Sequence, residues 1–339
     1  MQGTEGSIGT GRLTVIIPAT LKVGIAGFGN HALARILPVI EANDRLRLVA
    51  VWTRSESTKS LLRERGLAGI MSDFAQFLTT QMDVVYVASP SGRHFEHTTA
   101  ILRAGHNAWV EKPVATRLED VRELVTMAAT GSLMLTEAFM FPWHAQAGVI
   151  RQALSDRRIG KLRLVALTFC FPHLDPHNFR YDPELGGGAF LDHACYLVKA
   201  LDLYLGGKWT VLGGCMDPGE FAVDISGAAQ LRREVDGVVA NLNWGFGSSY
   251  VNEIQFVGDS GRMLVETAFT KPKSRSCNII LEDSKGQRVS LDVKAEDPYH
   301  RMIEGFIEQF DQPECWGDIR QQILSHAERY FTLRSFLQQ

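Results

Sequence analysis

Cysteine is scarce: five residues in 339, at Cys170, Cys195, Cys215, Cys277 and Cys315. Their number is odd, they lie far apart and no C-x-x-C spacing occurs. That argues against a disulfide framework or a zinc site, so no metal is expected, and it fits a reducing cytoplasm. They read instead as small buried hydrophobes. Long apolar runs are also missing. The charge-free stretch Ala138–Ile150 falls short of the roughly 18 residues that suggest a membrane helix, and it contains Pro142 and His144. Basic charge is not in excess. The 35 Lys and Arg residues face 38 Asp and Glu, a net charge of −3, which leaves no electrostatic footprint for nucleic acid. Residues 1–20 hold Glu5, no basic stretch and one short apolar run, Leu13–Ala19, unlike a secretory signal. They read as a loose tail. What is present is globular: 45% apolar and 22% charged residues, in a length that suits two domains.

The first part of the chain alternates strand and helix patterns. Lys22–Gly27, Arg47–Trp52, Asp83–Ser89, Ala108–Glu111 and Leu133–Ala138 read as strands. His31–Ala42, Ser57–Arg65, Asp73–Leu78, Glu96–Ala104 and Leu118–Ala129 read as helices between them. Such alternation predicts a doubly wound parallel sheet, an α/β Rossmann-type domain over 21–140. The texture changes after about residue 140. Lys161–Phe171 is a long strand pattern and Phe190–Leu205 is helical. Strand-like runs follow at Thr210–Met216, Ile225–Leu231, Gly237–Trp244, Asn252–Val257, Arg262–Glu266, Asn278–Leu281 and Arg288–Val293. Turn signals between them, such as Asp283-Ser284-Lys285-Gly286, predict antiparallel hairpins. Residues 141–339 are thus expected to form an α+β domain with a large, mainly antiparallel open sheet. Its last helices, near Pro298–Asp311 and Asp318–Leu337, are candidates to pack back on the first domain.

Gly27-Phe28-Gly29-Asn30-His31-Ala32 fits G-x-G-x-x-[GA] between a strand and a helix. Gly27 allows a tight turn, Gly29 admits a pyrophosphate against the backbone, and Ala32 lets helix and strand pack closely. The free N–H groups of the helix N-terminus then face the anion. Phe28, Asn30 and His31 complete this candidate cofactor loop. The second strand ends Val51-Trp52-Thr53-Arg54-Ser55, with no carboxylate before Glu56 to accept from a ribose 2′-OH. Arg54 can pair with a 2′-phosphate, and Thr53 and Ser55 can donate to it. The cofactor expected is NADP rather than NAD.

Glu111-Lys112-Pro113 lies at the carboxyl end of an expected parallel strand, where open α/β sheets bind ligands. Pro113 keeps Lys112 extended and is a candidate for a cis bond. A fixed lysine there can stabilise a developing alkoxide. Gly186-Gly187-Gly188 precedes a helix in which Asp192 and Tyr196, four apart, share a face. A tyrosine and an acid so placed can serve as proton donor and substrate clamp. His193 reads as a supporting residue.

Taken in order, Gly27–Ala32, Ser89-Pro90-Ser91-Gly92-Arg93-His94, Glu111-Lys112-Pro113, Glu137-Ala138-Phe139-Met140 and Gly186–Tyr196 resemble the Gfo/Idh/MocA oxidoreductases over most of the chain. The resemblance implies a two-domain NAD(P)-dependent oxidoreductase acting on sugars, cyclitols or related compounds. It places Ser89, Pro90, His94 and Glu111 at the cofactor, with Glu111 either orienting Lys112 or touching the nicotinamide ribose. It places Lys112, Asp192 and Tyr196 in catalysis, Tyr196 as acid/base with its pKa lowered by Lys112, and Asp192 on a substrate hydroxyl. It also implies a homo-oligomer, dimer or tetramer, joined through the antiparallel sheet. Tyrosine where other members carry histidine is similar to the nucleotide-sugar 3-ketoreductases, glucose–fructose oxidoreductase and dimeric dihydrodiol dehydrogenase. Ala194 replaces the glycine of the D-x-G-x-[HY] motif. In Phe139–Gln146 an expected arginine is Pro142 and an expected proline is Ala145, which leaves His144 as a bare substrate candidate. Asn178-Phe179-Arg180 resembles the N-x-R segment of the sugar ketoreductases, so Arg180 binds a phosphate or sugar hydroxyl, or makes a structural ion pair. The expected activity is hydride transfer to or from a sugar or nucleotide-linked keto-sugar. An aldose or trans-dihydrodiol dehydrogenase and a non-catalytic NADP-binding regulator are the alternatives.

Overall fold

A strand covered by helices on both faces must be apolar throughout, and Val84–Val87 is buried at every position. In the computed structural model, which describes residues 19–339, this segment lies inside a six-stranded parallel sheet. The expected tail lies, up to residue 18, outside the described residues. The sheet contains β1 (Leu21–Ala26), β2 (Leu46–Trp52), β3 (Ile70–Met71), β4 (Val84–Val87), β5 (Asn107–Glu111) and β6 (Leu135–Ala138). Their order is β3-β2-β1-β4-β5-β6, with every pairing parallel. The order reverses between β1 and β4, and a ligand crevice opens at the carboxyl ends there. The connecting helices are α1 (Leu37–Glu41), α2 (Glu56–Glu64), α3 (Phe74–Leu78), α4 (His94–Arg103) and α5 (Leu118–Thr130). Two details differ from the sequence pattern. The helix expected from His31 opens with a π-helical turn, Ala32–Ile36, before α1. β3 is too short to leave a periodic signal.

The second half begins with α6 (Ala145–Ser155), which the sequence pattern did not mark. β7 (Leu162–Phe171) and α7 (Cys195–Tyr204) follow. Next come β8 (Trp209–Asp217), β9 (Ser226–Arg233), β10 (Val239–Phe246), β11 (Val251–Gly258), β12 (Gly261–Glu266), β13 (Cys277–Asp283) and β14 (Arg288–Val293). The eight strands run in the order β14-β13-β12-β11-β7-β10-β9-β8. β7 and β10 pair in parallel; every other pairing is antiparallel. The buried strand residues Val165, Leu167 and Phe169 alternate along β7, so one face of the sheet is core.

Two helices end the chain, α8 (Pro298–Phe310) and α9 (Trp316–Leu337). α8 starts on Asp297, whose carboxylate accepts from the Tyr299 and His300 N–H groups. Its Phe306 is fully buried between the rings of Trp109 on β5 and Trp143, at centroid distances of 5.5 and 5.8 Å. α9 packs on α5 and β6 and also on α7 and β8. Its Arg320 donates to the Leu133 carbonyl at 2.9 Å, and its Tyr330 hydroxyl to the Phe190 carbonyl at 2.8 Å. One helix thereby braces both sheets. Among the described residues no helix is long and apolar enough to cross a membrane.

Replacing a buried aromatic by alanine removes its transfer free energy and leaves a void. Phe306→Ala is expected to destabilise the protein by about 3–4 kcal/mol in denaturant unfolding, because the void lies between two rigid indoles.

Candidate active site

The crevice begins at the glycine turn. Gly27 has φ +83°, and a Cβ on it would meet the Ser89 backbone at 2.7 Å. Only glycine lets the β1 end cross so close to the β4 end. A Cβ on Gly29 would instead meet nothing within 4 Å, so the backbone there faces open space at the start of a helix. That is the cradle a pyrophosphate requires. Around it a cleft of about 820 Å³ is lined by residues of both halves of the chain. Trp52, Thr53, Arg54, Ser89, Pro90 and His97 form one end. His94 ties its floor together, with ring nitrogens 2.7 Å from the Ser89 carbonyl and 2.8 Å from the Pro113 carbonyl.

At the other end three charged side chains meet. Lys112 Nζ, at the end of β5, donates to Asp192 Oδ1 at 2.8 Å and to the Asp192 carbonyl at 3.0 Å. Arg180 Nε donates to Asp192 Oδ2 at 2.6 Å. Lys112 Nζ also lies 4.7 Å from the centre of the Tyr196 ring. Local structure fixes each partner. The Lys112–Pro113 peptide is cis. The Val114 N–H beyond it donates to buried Glu137 at 2.9 Å. Asp192 sits in a π-helical turn, Phe190–Ala194, whose first N–H donates to Asp224 at 2.6 Å. The glycine run before that turn serves close approach. A Cβ on Gly186 would strike Gly92 N at 2.4 Å, and one on Gly187 the Arg180 carbonyl at 2.5 Å. Those contacts seat Arg180 and the Asp192 turn against the first domain.

Burial raises the pKa of Asp192, but Arg180 and then Lys112 outweigh it and hold the carboxyl well below its ordinary range. Burial opposes the Lys112 ammonium too, yet Asp192 lifts its pKa above the usual lysine value. Glu111 accepts from Tyr86 at 2.5 Å and from His31 at 2.8 Å. Against the cost of burial, His31, Tyr86 and Lys112 bring Glu111 down to about 2. Tyr196 behaves oppositely to expectation. Burial, then the negative field of Cys195, Glu111 and Asp192, pushes the phenol well above 10. Its ring is packed among Phe139, Phe141, Phe169 and Phe269, and its hydroxyl lies 3.8 Å from the Met140 sulfur. Arg180 opposes the rise, but burial and the negative groups outweigh it, so no net lowering results.

The cleft brings together Gly27, Phe28, Gly29, Asn30, His31, Thr53, Arg54, Ser89, Pro90, His94, Glu111, Lys112, Arg180, Asp192 and Tyr196. Two expected site residues lie elsewhere. His144 is buried away from the cleft lining, where Nδ1 accepts the Gln146 N–H at 3.1 Å and caps α6. This corrects its assignment to substrate. Ser55 caps α2, accepting from Thr58 N–H at 3.2 Å, and does not line the cleft. Asp192 holds a cation on each oxygen, Lys112 on Oδ1 and Arg180 on Oδ2. Arg180 makes the ion-pair alternative. His193 is buried in a cage of Phe169 and Phe171, at 4.4 and 4.2 Å, and burial lowers its pKa to about 3. Sequence reasoning missed Tyr86, Tyr250, Lys271 and Tyr299. Tyr86 had one available signal, a polar tip in an otherwise aliphatic strand. The others arrive from a loop or helix far along the chain.

A dinucleotide crevice that opens onto a buried lysine and tyrosine defines a nicotinamide-dependent oxidoreductase. Sequence profiles agree. Residues 21–139 match "Oxidoreductase family, NAD-binding Rossmann fold" and residues 149–264 match "GFO/IDH/MocA C-terminal domain". The chain is 31% identical over 315 residues to a dTDP-3,4-didehydro-2,6-dideoxy-alpha-D-glucose 3-reductase from Saccharopolyspora spinosa, covering 91% of this chain and 94% of that protein. It is 23% identical to a D-xylose 1-dehydrogenase (NADP(+)) from Haloferax volcanii, over 84% of this chain and 88% of the relative. A crystal structure of a 3-ketoreductase from Actinomadura kijaniata in complex with NADP and TDP-benzene superposes with a TM-score of 0.87 at 27% identity, covering 94% of this chain and 98% of the other. The protein belongs to the Gfo/Idh/MocA family and is an NAD(P)-dependent oxidoreductase.

Because the Glu111 pKa falls from its ordinary 4.5 to about 2 on folding, its contribution to stability is complete above about pH 4.5. It is lost as the pH falls through about 2. Denaturation of wild type and Glu111→Gln between pH 7 and pH 2.5 is expected to show the wild-type advantage shrinking only on the acid side.

Proposed function

We propose that the protein is an NADPH-dependent reductase of a ketone in a nucleotide-linked sugar, with Lys112 and Tyr196 as catalytic residues. The observation that carries this reading is the meeting of the Lys112 ammonium and the Tyr196 ring at the inner end of the dinucleotide crevice. NADPH, when bound, supplies the hydride. Gly27–His31 would hold its pyrophosphate, and Arg54 with Thr53 the 2′-phosphate. No carboxylate occupies the place where an NAD site accepts from the 2′-OH.

The chain's own residues have three tasks. Lys112 brings a fixed positive charge to the carbonyl oxygen as charge develops there. Tyr196, kept protonated by its apolar cage, gives the proton that completes the alcohol and is reprotonated from solvent. Asp192 holds Lys112 and Arg180 in place, so it acts on the substrate through them. The phenyl rings around Tyr196 exclude water and strengthen these interactions. Similarity to a dTDP-sugar 3-reductase over nine-tenths of the chain supports the substrate class.

Tyr196→Phe and Lys112→Ala are each expected to cut turnover by at least about 100-fold while NADPH still binds, read by absorbance at 340 nm and by fluorescence titration. Near-normal turnover in both variants overturns the assignment. The substrate class is tested by comparing keto-sugar nucleotides plus NADPH with free aldoses and diols plus NADP; faster oxidation of the free sugars would favour a dehydrogenase instead. Arg54→Gln is expected to weaken NADPH about tenfold and leave NADH affinity unchanged, the loss of one charged hydrogen-bonding pair.

A further inference from the structure

We propose that Lys271, on the loop between β12 and β13, binds the diphosphate of the nucleotide-linked substrate. This deepens the reading above and rests on it. A nucleoside diphosphate carries two or more negative charges into the cleft, and the wall that receives it needs a cation without a protein counter-ion. Three other cations of the cleft are in ion pairs. Lys112 and Arg180 share Asp192. Arg93 pairs with Glu96. Arg54 and Arg35 also line the cleft and make no ion pair among the described residues, but both are exposed, Arg54 beside the end of β2 and Arg35 over the Tyr299 ring, 5.9 Å from its centre.

Lys271 is different. It lines the cleft together with Tyr250, Thr270 and Pro272 and is buried, 5% exposed. Its ammonium donates to the Ala268 carbonyl at 2.7 Å and makes no ion pair among the described residues. Glu296 acts on it only at longer range and is itself held by Arg301 at 2.9 Å and by the Ala145 N–H at 2.6 Å. An ammonium has three N–H donors, so two are left for a ligand. A buried cation without a counter-ion costs free energy, and burial accordingly lowers the Lys271 pKa to about 8. An incoming anion would relieve that cost.

The loop is also held in place. Buried Asn252 accepts from Phe269 N–H at 2.7 Å and donates to the Thr270 carbonyl at 2.7 Å. The Tyr250 and Thr270 hydroxyls lie 2.8 Å apart. Phe269, two residues before Lys271, packs on the Tyr196 ring at 5.9 Å. The lysine is therefore in fixed register with the proposed acid, as required if a sugar bridges the reacting carbon and the diphosphate.

The test is calorimetric titration of the NADP-loaded protein with dTDP, inorganic pyrophosphate and thymidine. Lys271→Met and Lys271→Gln are expected to weaken dTDP and pyrophosphate at least 20-fold and to leave thymidine and NADP affinity unchanged, whereas Lys271→Arg stays within about fivefold of wild type. Two neutral variants of different polarity are used so that one folded variant suffices, checked by thermal melting. A neutral variant that binds dTDP as wild type does overturns the Lys271 assignment and leaves the reductase reading standing. A wild type that binds no dTDP yet reduces free ketoses overturns the nucleotide-linked substrate and the Lys271 site with it. Loss of pyrophosphate binding with dTDP binding retained assigns Lys271 to a free-anion site and overturns the proposal.

Discussion

The carboxylate of Asp192, shared between Lys112 and Arg180, is the constraint on which the rest of the cleft depends. It joins three separate pieces of chain: the end of β5, the segment around Arg180, and the π-helical turn before α7. Two partly buried cations so close together would repel without it, and a partly buried carboxylate would be expensive without them. The glycine run, the Asp224 hydrogen bond and the Tyr330 hydroxyl on the Phe190 carbonyl all serve to hold this arrangement. Tyr196 inherits its position from the same turn. Its raised pKa follows from the cage of phenyl rings rather than from the lysine beside it.

Much of this was legible in contiguous residues. The Gly27–Ala32 turn is readable because a strand, a tight turn and a helix must follow one another in that order, and the steric contact of Gly27 with Ser89 is the physical reason. Lys112 is readable because it ends a strand of a parallel sheet. That Asp192 and Tyr196 face the same way is readable from their four-residue spacing; that Lys112 meets them is a tertiary contact. The spacing survives although the first turn is π-helical, a departure that periodicity cannot detect.

Other parts were not legible, for stated reasons. α6 escaped notice because its stretch is short of charge, follows Pro142 and is capped by an imidazole, an unusual cap. His144 was therefore read as a ligand-facing group when its ring nitrogen was satisfying a helix end. Lys271 and Tyr299 carry no local signal. They reach the cleft only because a β12–β13 loop and α8 fold back upon it. The field at Tyr196 depends on Phe139, Phe141, Phe169 and Phe269, which three separate segments supply, and no short sequence window contains them together.

The single parallel pairing in the second sheet, β7 with β10, has a topological consequence. Parallel neighbours cannot be joined by a hairpin, so the chain leaves the sheet after β7, re-enters it at the far edge as β8, and reaches β10 only through the antiparallel strand β9. α7 and the turn bearing Asp192 belong to that detour. Phe169 and Phe171, at the exit of β7, line the cleft, as do residues at the exits of β1, β2, β4 and β5. Two sheets of unlike architecture thus aim their strand exits at one shared chamber. Chemistry can be varied by exchanging exit loops on either side while both scaffolds stay intact.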